Sequence, residues 1–294
     1  MKELTGIVPI VAAPFTETGE VDYESLRGLI QHLAKAGCNG LTLFGIAGEY
    51  YKLSDEEQLK MADVMVEECQ KANIMSVISI TQHSTKSAIE RAQYVESIGA
   101  DCLMLLPPFF LKPSGADLYN HLKAVCQSVK IPIMVQYAPE QTGVAIASNG
   151  FNKNFIKARR LTKYDRYISS FLKLVDTENT KVLVGNAGYQ MIETFERGAI
   201  GAMPGCSLAE LYIKIYRAYT QGKKEEAVAL HNRLLPLLNH IRQNVEMIIH
   251  YEKKILAMRG IIASDYCRTP GFTGDQYMDD LFYMYYSEIK DLLD

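Results

Sequence analysis

One lysine in this chain stands where an amine could do covalent chemistry. Lys173 lies in the run Tyr167-Ile-Ser-Ser-Phe-Leu-Lys-Leu-Val-Asp176, which reads as a strand closed by the turn signal Asp176-Thr-Glu-Asn-Thr180. An ammonium group near the end of an apolar strand is costly to bury, so it sheds its charge or finds a partner. A lysine whose pKa is pushed down by burial attacks carbonyl carbons readily. The pattern alone leaves a second reading equally open: a strand-end lysine paired with Asp176 or Glu178.

The elements that must position such a lysine recur along the chain. Short apolar runs at 6–15, 40–44, 74–80, 102–106, 132–136, 167–176, 181–184 and 199–203 read as strands. Helical patterns separate most of them, at 23–36, from Ser54 onward, 84–99, 116–128, 152–160, 190–197 and 208–221. Ser54 with Glu57 three residues on is a capping box. Strands that are apolar throughout, rather than alternating, belong to a parallel sheet covered on both faces. Repeated βα units of this number predict a (β/α)₈ barrel over residues 1–222. The alternative, a doubly wound dinucleotide fold, would want a glycine fingerprint after the first strand, and Phe15-Thr-Glu-Thr-Gly-Glu20 does not supply it. From residue 223 no strand pattern appears, and 225–242, 245–259 and 275–293 read as an appended three-helix extension, 223–294. In a barrel the chemistry gathers at the C-terminal ends of the strands.

Composition narrows the partners. The 294 residues carry a net charge of −3, so no electrostatic argument favours nucleic acid or an anionic membrane. The longest apolar stretch, 7–15, is broken by Pro9 and Pro14 and is too short to span a bilayer. Six cysteines lie scattered with no Cys-x-x-Cys spacing, which predicts reduced thiols, a cytoplasmic location and no metal cluster.

Four segments together resemble the dihydrodipicolinate synthase / N-acetylneuraminate lyase family. They are Gly45-Ile-Ala-Gly-Glu49 with Lys52-Leu-Ser-Asp-Glu-Glu57, Pro107-Pro-Phe-Phe-Leu-Lys-Pro113, Pro132-Ile-Met-Val-Gln-Tyr-Ala-Pro-Glu-Gln-Thr-Gly143 and Phe171-Leu-Lys-Leu174. Their order along a βα chain carries the likeness, from about residue 3 to about residue 290. The resemblance implies a (β/α)₈ barrel with a C-terminal helical extension, assembled as a homotetramer. It implies an aldolase or lyase that joins or cleaves a carbon–carbon bond next to a pyruvate-type 2-oxo acid, with an aldehyde or sugar-acid partner. The chemistry runs through a lysine Schiff base without metal or organic cofactor, and Lys173 falls on that lysine. The loop Gly45, Ile46, Ala47, Gly48 falls on the family's carboxylate-binding loop, which works through backbone N–H groups, with Met203 on the opposite wall.

The same resemblance shows departures. Ile46 and Ala47 stand where the family has hydroxyl residues. Gln136 and Phe110 stand where it has proton-relay tyrosines. Gln141 stands where the synthases bind the second substrate's carboxylate with arginine. Gln136 with a bound water, and Tyr50 after the glycine loop, rank ahead of His83 as replacements for the relay. Tyr137 follows Gln136 and, by strand alternation, faces away from Lys173 unless the strand kinks at Ala138-Pro139. Glu49 reads as a structural carboxylate satisfying loop N–H groups. Two other readings remain: a Schiff-base dehydratase of a sugar-acid-like 2-oxo acid, and a barrel that binds a 2-oxo acid without catalysis.

Overall fold

The structure is a computed structural model that describes residues 3–144, 160–164 and 181–293. They fall into two compact units, one formed by Gly6–Ile74 with Pro204–Asp294 and one by Met1–Thr5 with Met75–Met203.

The first unit begins with β1 (Gly6–Ile7), α1 (Tyr23–Ala36), β2 (Gly40–Leu43) and α2 (Asp55–Ala72). The 6–15 run is a strand only at its start. Pro9 has no N–H to give a ladder, so its carbonyl accepts from Thr42 instead, and pairing resumes as isolated parallel bridges from Ile10 to Thr42 and to Gly205. The Asp22 carboxylate caps α1 by accepting from the N–H groups of Glu24 and Ser25, and Gly37 ends the helix at φ 99°. The α1 side chains Leu26, Leu29, Ile30 and Leu33 form one buried stripe. The capping box of Ser54 and Glu57 starts α2, as the sequence predicts. The C-terminal half of this unit holds α7 (Ala209–Thr220), α8 (Lys224–Ile241), α9 (Val245–Met258) and α10 (Gln276–Ser287). The last helix is shorter than predicted and is followed by a 3₁₀ turn at Lys290–Leu292.

The second unit is a sheet of consecutive parallel strands: β3 (Met75–Ile80), β4 (Cys102–Leu105), β5 (Ile133–Tyr137), β6 (Arg160–Tyr164), β7 (Lys181–Val184) and β8 (Gly201–Ala202). Its helices are α3 (Thr85–Ser97), α4 (Gly115–Ser128), the single turn α5 (Pro139–Thr142) and α6 (Met191–Phe195). Every residue of β3 and β4 is buried, as fully covered parallel strands require.

The sixth strand differs from the sequence reading. The strand paired between β5 and β7 is Arg160–Tyr164, whereas the apolar run 167–176 was expected there and 152–160 was expected to be helical. Lys173 and the rest of that run lie outside the described residues, as do residues 152–159. Arg160-Leu-Thr-Lys-Tyr164 carries two cations and a threonine, so a search for apolar runs passes over it.

Candidate active site

Register places a lysine at the chemically useful end of the second unit. Gln136 of β5 pairs with position 163 of β6, which pairs with Leu183 of β7, which pairs with Gly201 of β8. Position 163 is a lysine and, like Gln136, stands one residue from the C-terminal end of its strand. Adjacent strands lie about 4.8 Å apart, so these two backbones are direct neighbours. The other lysine on these strands is at the wrong end: Lys181 opens β7, is half exposed and is ion-paired with Glu3.

The remaining predicted residues of this unit separate by burial. Gln136 is 1% exposed and Tyr137 is half-buried, and the two do not separate onto opposite faces. Both line a small recess with Leu106, Pro107, Ala138 and Thr142. Gln141 lies exposed on α5. Met203 is buried just past β8, its N–H donating to the Val184 carbonyl at 2.7 Å. His83 is exposed and meets the Phe109 ring edge-on at 4.8 Å between centroids.

The glycine loop belongs to the first unit. Gly45 leads into a 3₁₀ turn, Ile46–Gly48, closed by Gly48 N–H donating to the Gly45 carbonyl at 2.8 Å. Ile46 and Ala47 are half-buried, and their N–H groups donate to no acceptor among the described residues. Two adjacent unpaired N–H groups suit an anionic oxygen. The turn packs hard on the first strand segment. A Cβ on Gly45 would come within 2.7 Å of Ile10 Cγ2, and one on Gly48 within 3.0 Å of the Val11 carbonyl oxygen. Phe44 and Glu49, on either side, have positive φ of 63° and 54°. A second 3₁₀ turn, Tyr50–Lys52, follows. Tyr50 is half-buried and meets the Tyr51 ring edge-on at 5.6 Å. The Tyr51 hydroxyl donates to Glu246, and burial together with that carboxylate raises its pKa.

Glu49 is fully buried, but its partners are not the loop N–H groups expected from the sequence. Its carboxylate is ion-paired with Lys253 of α9 and lies 3.2 Å from Lys52 Nζ. Lys253 is itself fully buried, donates to the Tyr266 carbonyl at 3.0 Å and sits 4.1 Å above the Phe15 ring. Burial pulls its pKa below the ordinary lysine range, and Glu49 opposes that pull. Lys52 Nζ also donates to Glu246 at 2.8 Å; burial works against its charge, but Glu246 and Glu49 outweigh it and raise its pKa. Arg268 closes the cluster, binding Glu57 through both terminal nitrogens and the Lys52 carbonyl at 2.8 Å. Sequence reading missed Lys253, although a signal existed: it falls on the stripe of Ile249 and Leu256, where a cation is out of place.

Comparison with known proteins places this geometry. The Dihydrodipicolinate synthetase family matches residues 3–281. A 4-hydroxy-tetrahydrodipicolinate synthase from Archaeoglobus fulgidus is 30% identical over 270 residues, covering 88% of this chain and 89% of that protein. One from Oceanobacillus iheyensis is 27% identical, over 81% and 82%. The solved dihydrodipicolinate synthase of Aquifex aeolicus superposes with a TM-score of 0.89 at 24% identity, covering 99% of this chain and 100% of that one. A prophage protein of the dihydrodipicolinic acid synthase family from E. coli K12, solved in complex with pyruvate, gives 0.87 at 23% identity, covering 99% of each. The fold is therefore the predicted (β/α)₈ barrel with a C-terminal helical part. No helix among the described residues is long and apolar enough to cross a membrane. The chain belongs to the dihydrodipicolinate synthetase family.

Proposed function

We propose that this protein makes or cleaves a carbon–carbon bond beside the carbonyl of a pyruvate-type 2-oxo acid, and that its Schiff-base lysine is Lys163. As a member of its family it is a carbon–carbon lyase of the class I, Schiff-base type. The observation that carries the lysine assignment is the pairing of position 163 with Gln136. Gln136 occupies the relay position, and a relay must stand beside the carbon that loses its proton. Lys163 is beside it on the next strand, at the end where barrels do chemistry.

The reaction follows in balanced steps. A neutral lysine amine adds to C2 of the 2-oxo acid, and the carbonyl oxygen leaves as water to give an iminium. The iminium withdraws electrons, so a C3 proton leaves and an enamine forms. C3 then joins an aldehyde carbon, or the reverse step releases one. Water finally hydrolyses the iminium and frees the lysine. In the first unit the unpaired N–H groups of Ile46 and Ala47 support carboxylate binding, and in the second a water on Gln136 supports proton transfer. The iminium is its own electron sink, so the proposal includes no metal or organic cofactor. A neutral, exposed Gln141 supports an uncharged hydroxylated or sugar-acid-like aldehyde as the second substrate. The exposed Phe110 and Leu111 support a homotetramer, and six free thiols support a cytoplasmic location.

Borohydride reduction in the presence of pyruvate, followed by peptide mapping, tests the assignment. The adduct is expected on Lys163. Its appearance on Lys173 overturns the choice of lysine, and no adduct with any 2-oxo acid overturns the Schiff base.

A further inference from the structure

Lys253 is a fully buried cation on a helix that the proposed chemistry does not use. Its partner Glu49 is equally buried and takes a left-handed backbone conformation at the last position before the second 3₁₀ turn. Phe44 has the same conformation at the other end of the glycine turn. Non-glycine residues persist there only where their surroundings hold them. The turn between them presents the unpaired N–H groups of Ile46 and Ala47.

Of the two lysines on Glu49, only Lys253 belongs to the scaffold helix itself. Lys52 lies three residues along the same loop and reaches α9 only through the partly exposed Glu246 at its start. Lys253 comes from the middle of α9, which packs against the glycine turn. It is anchored independently by the Tyr266 carbonyl and the Phe15 ring.

We propose that Lys253 is a positioning residue for substrate binding. Its ammonium pins the Glu49 carboxylate and so fixes the backbone N–H groups of Ile46 and Ala47 where they receive the 2-oxo acid carboxylate. The proposal rests on the carboxylate-binding reading of this loop. It makes Lys253 a determinant of substrate affinity that never touches substrate.

The test needs only pyruvate. Enamine formation exchanges the C3 protons of pyruvate for deuterium in heavy water, and NMR reads KM and kcat for that exchange without a second substrate. Lys253→Met is expected to raise KM about tenfold or more and to leave kcat within about threefold, because the nucleophile is untouched. Glu49→Gln keeps the volume and an acceptor for Lys253, and is expected to raise KM by a smaller factor. A merely structural role would lower Tm and leave KM alone. A folded Lys253→Met enzyme with KM within about twofold of the wild type overturns the pin. If that variant does not fold, Glu49→Gln is judged by the same criterion. Wild-type exchange beside an unchanged variant KM sinks the pin alone. A wild type that neither exchanges nor traps an adduct sinks the enzymatic reading, and the pin with it.

Discussion

Removing one backbone N–H tests the carboxylate site without disturbing the fold. Ile46 is the first residue of its 3₁₀ turn, a position that welcomes proline because its N–H has no partner within the turn. The residue before a proline must be extended, and Gly45 already has φ −64° and ψ 162°. Ile46→Pro should therefore leave stability nearly unchanged, with a Tm shift of no more than about 4 °C. It deletes the N–H that, with that of Ala47, donates to no acceptor among the described residues. A hydrogen bond from N–H to a carboxylate contributes about 1.5–3 kcal/mol. At about 1.4 kcal/mol per factor of ten, pyruvate KM should rise roughly 10- to 150-fold. Ile46→Ala is the control, because it removes the same side chain and keeps the N–H. Deuterium exchange into pyruvate reads both variants, and circular dichroism confirms their fold. A folded Ile46→Pro enzyme with the KM of Ile46→Ala would refute the assignment of this turn to the substrate carboxylate.

Two further expectations concern the scaffold under the loop. Arg268 holds the Glu57 carboxyl well below the ordinary glutamate range, at about 2. A depressed carboxylate stabilises the fold above its unfolded pKa and loses that contribution as pH falls through the folded one. Chemical denaturation should show Arg268→Met less stable than wild type by about 1–3 kcal/mol at pH 7, with the gap closing between about pH 4.5 and pH 2. A gap that is constant with pH would mean that Arg268 acts through packing. Gly205 has no room for a side chain, since its Cβ would fall 2.0 Å from Glu252 Oε1. Gly205→Ala must displace a buried carboxyl that accepts from the Ser207 N–H, so it should cost about 2–4 kcal/mol by the same assay, and a cost under about 0.5 kcal/mol would contradict the packing.

The covered strands were legible because nothing but burial shapes them. The runs at 75–80, 102–105 and 181–184 are mostly apolar, with Ser76, Ser79 and Lys181 the exceptions, and the structure makes them β3, β4 and β7. The capping box at Ser54 and the break between α8 and α9 could likewise be read from local chemistry. Legibility failed where chemistry competes with burial. Arg160-Leu-Thr-Lys-Tyr164 is a poor apolar strand, because Arg160, Thr162 and Lys163 interrupt it. The apolar run 167–176, with Lys173, answers that search better and lies outside the described residues. Glu49 could be placed in a buried loop, but its partner is about 200 residues away in sequence, beyond any local pattern.

That distant partner gives α9 a particular place in the molecule. Glu252 and Lys253 are consecutive, opposite in charge and both buried, a pairing a helix rarely tolerates. Being neighbours in a helix, they point about 100° apart, so they do not neutralise each other face to face. Each serves a different strand-end segment. Glu252 accepts from the N–H of Ser207, and Lys253 holds Glu49 beside the glycine turn. Burial raises the Glu252 carboxyl above its ordinary range and lowers the Lys253 ammonium below its own, and the backbone donors of one and the carboxylate partner of the other each resist that drift. A pair of apolar residues could cover the same area at lower cost, but it could not grip a backbone N–H or a carboxylate. Two segments, one of them flanked by the left-handed residues Phe44 and Glu49, are thus held by one turn of one helix, and a rotation of α9 would disturb both together. That coupling fixes the backbone of the glycine turn, and with it the N–H groups of Ile46 and Ala47.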